Sequence, residues 1–231
     1  MRTILSILLM SGIFLQSHGQ EQKSSKVGQQ IIQNKSDVQL TINVPNDALQ
    51  ELKQGNKRFI DGKQINTNYK AQIEKTKLDQ KPHSLILSCL DSRVPPEIIF
   101  DQGIGNVFVA RVAGNVEDPN ILGSMEFATI IKGTKLIVVL GHSKCGAVSG
   151  AIDNAELGNL TQLVNQIKPA IIGDESNKTQ MLEESAKNNV RITIENILEE
   201  SPLIAELVKD EKVKIIGAYY NIDNGKVEFL D

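Results

Sequence analysis

Four short, mostly apolar runs limit what this chain can fold into: residues 84–88, 107–112, 136–140 and 213–218. They are rich in Leu, Ile and Val and show no polar alternation. A strand with one wet face alternates, whereas one covered on both faces does not. Helical patterns separate most of these runs. Strand and helix in alternation predict an α/β domain with a mainly parallel central sheet of four strands, flanked by helices. Asn224-Gly225 is a hairpin signal. It should join the fourth strand to an antiparallel edge strand over 226–230.

The helices can be placed from caps and spacing. Asn46 or Asp47 is expected to cap a first helix bearing Leu49, Leu52, Phe59 and Ile60, with Gly62 as its stop. A second should cover about 68–77. Asp118 caps and Pro119 opens another, which carries Met125, Phe127 and Ile130. A long helix is expected over about 176–199, with Leu182, Ala186, Val190, Ile194, Ile197 and Leu198 in a stripe. Pro202 ends that region and can start a further short helix. His83 reads as a surface residue ahead of the first strand.

Ahead of this domain, at 45–231, the chain reads differently. Met1-Arg2-Thr3 precedes an apolar run over 4–15, then Ser17-His18-Gly19. A basic start, a short apolar middle and a small-residue exit make a secretory signal peptide over 1–19. The mature chain is then expected to begin near Gln20 in a periplasmic or secreted location. The run is short for a membrane span, so no stable membrane insertion is expected after cleavage. Residues 20–44 are polar and aperiodic, a flexible lead-in. The formal net charge of −3 supplies no basic field for nucleic acid.

Only two cysteines are present, Cys89 and Cys145. In an exported chain such a pair reads first as a disulfide. Their neighbourhoods argue otherwise. Cys89-Leu90-Asp91-Ser92-Arg93 ends the first strand, and Gly141-His142-Ser143-Lys144-Cys145-Gly146 ends the third. Ligands of open α/β sheets bind beyond the carboxyl ends of strands, so Cys89, His142 and Cys145 could converge there. Two thiolates and an imidazole suit zinc and leave a fourth position for water.

With these two segments the chain resembles the β-class carbonic anhydrases, which share Cys-x-Asp-Ser-Arg and Gly-His-Ser-x-Cys-Gly. The resemblance runs from about Asp47 to Asp231. It takes in Gly55-Asn56 with Arg58-Phe59, Phe108-Val109 with Arg111, Ala113-Gly114-Asn115, and Gly217-Ala218-Tyr219-Tyr220. It implies zinc held by Cys89, His142 and Cys145. The implied reaction is reversible hydration of carbon dioxide to bicarbonate and a proton, by zinc-bound hydroxide oriented by Asp91 and Arg93. Arg111 reads as structural.

One subgroup of that family has a glutamine nine residues before the first zinc cysteine, supplied by a neighbouring subunit, and Gln80 matches it. The same subgroup lines the carbon dioxide pocket at positions matched by Phe108, Ala113 and Phe127, and Gly146 joins the substrate side. Phe127 stands where some members carry tyrosine. A homodimer or homotetramer is implied. Another subgroup closes its site by swinging the aspartate onto zinc and uses a tryptophan three residues before the first zinc cysteine. Ile86 occupies that position here and the chain has no tryptophan, so an open site is expected. A non-catalytic zinc protein on the same fold, or hydrolysis of a small relative such as carbon disulfide, is the alternative.

Overall fold

In the computed structural model, residues 42–230 are described. The expected signal peptide and nearly all of the expected lead-in lie outside them. Ile42, just before the first helix, packs against the core.

The sheet has five strands: β1 (Ser84–Ser88), β2 (Val107–Arg111), β3 (Leu136–His142), β4 (Lys214–Tyr220) and β5 (Val227–Leu230). Their spatial order is β2-β1-β3-β4-β5, parallel except for the β4–β5 pair. β1 and β3 are buried along their whole length, as their unbroken apolar character demands. β2 is an edge strand and only partly buried.

Alternate side chains enter two layers. Ile86, Leu136, Val138 and Leu140 pack with Leu49 and Leu52 of α1 (Pro45–Ile60) and with Ile99 of α3 (Pro96–Ile99). Leu85, Leu87, Ile137 and Val139 face the other way. There they meet Leu122 and Met125 of α4 (Pro119–Glu126), Val190 and Ile197 of α7 (Lys178–Glu200), and Ile204 of α8 (Pro202–Lys209). The remaining helices are α2 (Tyr69–Thr76), α5 (Gly146–Ile152) and α6 (Gly158–Ile167). No described helix is long and apolar enough to cross a membrane.

Several local expectations hold in detail. The Asp118 carboxylate accepts from the N–H groups of Asn120 and Ile121 and so caps α4. The Asn68 side chain caps α2, and Gly62 (φ 64°) follows the end of α1. Others need correction. Pro45, which lacks an N–H to satisfy, takes the first turn of α1, so Val44 is the cap residue and Asn46 and Asp47 lie inside the helix. β3 and β4 run two residues further than expected because Gly141 and His142 pair with Tyr219 and Tyr220. His83 is buried, with one ring nitrogen against Ser84 Oγ (2.8 Å) and the other against Gln102 Oε1 (3.1 Å).

Candidate metal centre

Parallel pairing in register places Ser88 beside Leu140. The residues that follow, Cys89 after β1 and Gly141-His142 at the end of β3, therefore emerge side by side. A tight turn through Ser143 and Lys144, the latter at φ 58°, then returns Cys145 to the start of α5. The ligand atoms of Cys89, His142 and Cys145 lie within 4.8 Å of one another, and all three residues are buried. Both thiols are free.

The donor set fits a divalent cation. His142 Nδ1 lies 2.9 Å from the carbonyl of Ser143, which fixes its proton there, and leaves Nε2 buried without any partner. Cys89 is pulled down to about 4, first by the thiol of Cys145 and then, against burial, by His142 and the N–H of Gly114. Cys145 is pushed up for the complementary reason: its proton is held by the Cys89 sulfur, despite help for its thiolate from the N–H groups of Val148 and Ala147. Two sulfurs thus share one proton beside an unpartnered imidazole nitrogen. Two thiol sulfurs and an imidazole nitrogen within 4.8 Å of one another form a donor set that suits zinc.

Asp91 and Arg93 adjoin the cluster. Asp91 Oδ1 accepts from the N–H (2.9 Å) and Nε (3.0 Å) of Arg93, and Oδ2 accepts from Nη2 (2.7 Å). This two-point pair holds the Asp91 carboxyl down at about 2, the side-chain bonds from Arg93 being the largest cause. Arg111, at the end of β2, donates from Nε to the carbonyl of Cys89 (3.1 Å) and from Nη2 to that of Asp91 (2.6 Å). It fastens the loop between the first ligand and its carboxylate neighbour. Gly114 donates its N–H to Cys89 Sγ (3.4 Å).

The expected substrate residues fall in different places. Ala113 adjoins Gly114, beside the Cys89 sulfur. Gly146 opens α5 with open space where a Cβ would stand. Phe108 and Phe127 meet edge to face, ring centroids 6.3 Å apart, in a cavity of about 560 Å³ beside β2. None of Cys89, His142 and Cys145 lines that cavity. Gln80 is exposed and precedes β1, whereas Cys89 follows it. About 13 Å of strand separates those two ends. Gln80 therefore does not join the cluster of its own chain.

The family model for carbonic anhydrase matches residues 84–227. The chain belongs to that family, in its β class, with a Cys-His-Cys group of the kind that binds zinc. It is 34% identical over 196 residues to carbonic anhydrase 2 of Mycobacterium tuberculosis, covering 81% of this chain and 93% of that protein. The carbonic anhydrase of Mycolicibacterium smegmatis is 34% identical over 190 residues, covering 80% and 92%. Among solved structures, one of two tetrameric β-carbonic anhydrases from Sordaria macrospora superposes with a TM-score of 0.63 at 25% identity, covering 80% of this chain and 97% of that one.

Proposed function

We propose that this chain holds zinc between Cys89, His142 and Cys145 and catalyses the reversible hydration of carbon dioxide to bicarbonate and a proton. One observation carries the reading: three buried soft donors converge, one of them an imidazole nitrogen with no partner, directly beside a carboxylate locked to an arginine. When bound, zinc supplies Lewis-acid activation of water near neutral pH.

The residues divide the remaining work. Asp91, kept ionised by Arg93, accepts a hydrogen bond from the nucleophile and so aims it. Arg93 spends its fork on that carboxylate, which keeps Asp91 turned away from the ligands and favours the open site. Ile86 supports this, since a buried alkyl group offers no hydrogen bond to a bicarbonate-stabilised closed form. Arg111 keeps the Cys89–Asp91 loop in one shape while the proton moves.

The substrate pocket is proposed to be completed by a second copy of the chain, in a homodimer or homotetramer. Gln80 sits at the wrong end of β1 to serve its own centre. β2 is an unpaired edge among the described strands, and Phe127 (46% exposed), in contact with Phe108 of that strand, stands out beside it. Gln80, Phe108 and Phe127 would then meet the partner's Ala113 and Gly146 side. The leader reading puts the enzyme in the periplasm or outside the cell.

The test is direct. Protein purified without added metal should carry about one zinc per chain and hydrate carbon dioxide in a stopped-flow indicator assay. Cys89→Ser should lose both. Stoichiometric zinc without hydration would leave a non-catalytic zinc protein, and normal rates in Cys89→Ser would refute the centre. Mass spectrometry of native material should find a start near Gln20, and an intact Met1 would refute export.

A further inference from the structure

α7 packs its apolar stripe on the sheet, yet Asn189 lies within that buried face at 2% exposure, between Ala186 and Val190. A buried amide without a partner costs more than an alkyl group of similar size. Asn189 spends its Nδ2 on one acceptor, the carbonyl of Gly114, at 2.7 Å. Gly114 in turn donates its own N–H to Cys89 Sγ. Two bonds of opposite sense thus pin one residue, and the second ends on a metal-ligand sulfur.

Gly114 is suited to that place by its backbone. Its φ is 72°, and a Cβ there would lie 2.5 Å from Ile167 Cδ1 and 3.3 Å from Ala147 Cβ. A side chain there would strain the backbone at this positive φ and crowd Ile167 of α6 and Ala147 of α5. The segment is otherwise lightly held, through Val112 N–H to Ser88 (3.1 Å) and Asn115 N–H to Val112 (3.0 Å). Asn189 is the side chain that holds the Gly114 carbonyl, and so helps set the direction of the Gly114 peptide beyond the bond to β1 and the Val112–Asn115 turn.

We propose that Asn189 is a positioning residue for the metal centre, acting through Gly114 to keep an N–H donor on the Cys89 thiolate. This rests on the zinc reading above and adds to it a role for a helix residue that touches neither metal nor substrate. A donor on a ligand thiolate disperses its charge and fixes its orientation, and groups of this kind commonly change metal affinity or activity 10–100-fold.

The experiment uses the full chain and compares wild type with Asn189→Ala and Asn189→Ser, the second being the milder change. Zinc affinity is read by competition with a chromophoric chelator. The cobalt-substituted protein is read by its thiolate-to-cobalt charge-transfer bands. Both variants should bind zinc about 10-fold more weakly, with shifted charge-transfer bands. Wild-type affinity and bands in a folded variant would overturn the proposal, even with a lower melting temperature, because a purely structural Asn189 would move only the latter. Should both variants fail to fold, amide exchange at Gly114 in the wild type decides. It should slow at least several-fold on zinc binding, and no change would overturn the proposal. A wild-type chain that binds neither metal, or shows no thiolate bands, refutes the centre itself and this inference with it.

Discussion

Gly141 and Gly217 lie on adjacent strands of the sheet, and both receive Val190 of α7. A Cβ on Gly141 would stand 2.7 Å from Val190 Cγ2, and one on Gly217 would stand 2.8 Å from Val190 Cγ1. Neither spacing is tolerable, so Gly141→Ala must lift the helix or shift β3, at about 1–3 kcal/mol. Val190→Ala removes two methyl groups from a fully buried site. Transfer alone accounts for about 1.6 kcal/mol of that loss, with a cavity contribution on top. In the double variant the new Cβ enters space that Cγ2 has left, although the carbonyl of Ala186 stays close at 3.4 Å. The double variant should therefore be about as stable as Val190→Ala alone. The coupling should then equal the cost of Gly141→Ala, about 1–3 kcal/mol, outside the additive range. Urea unfolding of the four proteins, at one protein and one zinc concentration, measures this. Costs that add to within about 0.5 kcal/mol would refute the packing argument. Because Gly141 directly precedes His142, Gly141→Ala should also weaken zinc binding, and Val190→Ala should restore it.

Arg93→Ala should cut hydration about 10–100-fold. In the metal-free chain it should also return Asp91 from about 2 towards the ordinary 3.8. A carboxyl lowered by folding adds stability above its ordinary range and loses it as pH falls towards 2. That acid-side loss should shrink in the variant, and an unchanged Asp91 titration by carboxyl NMR would contradict the pairing. Glu117 behaves oppositely. It is 5% exposed, Oε1 accepts from Asn196, Oε2 has no partner, and burial raises its carboxyl. A raised acid costs stability as pH climbs past the ordinary glutamate range. Glu117→Gln should therefore gain on the order of 1 kcal/mol over wild type near pH 8 and little near pH 4, and a pH-independent difference in melting temperature would count against it. Gln80→Ala and Cys89→Ser chains, each inactive alone, should regain hydration when refolded together if Gln80 serves its partner's site, whereas a mixture that stays inactive would point to action within one chain.

The strands were legible because burial on both faces leaves its mark on every residue of a run. β1 falls at the expected residues, and the expected starts of β2 and β3 are also observed. Their ends were less legible, since Gly141 and His142 carry no strand preference and are drawn into β3 only by pairing with β4. α6 shows how a sound pattern goes unread. Leu160, Leu163, Val164 and Ile167 have helical spacing, and Val164 and Ile167 are buried. No side chain caps that helix, however, and its first residue is Gly158 at φ 47°, so the usual start signal is missing.

The centre divides along a similar line. Cys89, His142, Cys145, Asp91 and Arg93 are proposed to act through side chains whose chemistry is rare enough to stand out, and two parallel neighbouring strands bring them together. Arg111, Gly114 and Asn189 act through the main chain. Arg111 binds two carbonyls, Gly114 offers an amide, and Asn189 holds a carbonyl. Any peptide unit can serve as their partner, so no residue type in the sequence announces the pairing. Asn189 is harder still to read. An asparagine in a long charged helix suggests solvent, and only packing against the sheet shows that it lies on the Ala186–Val190 side. The ligands of such a centre can thus be read from composition and spacing, while the groups that tune them become visible only when the backbone is in place.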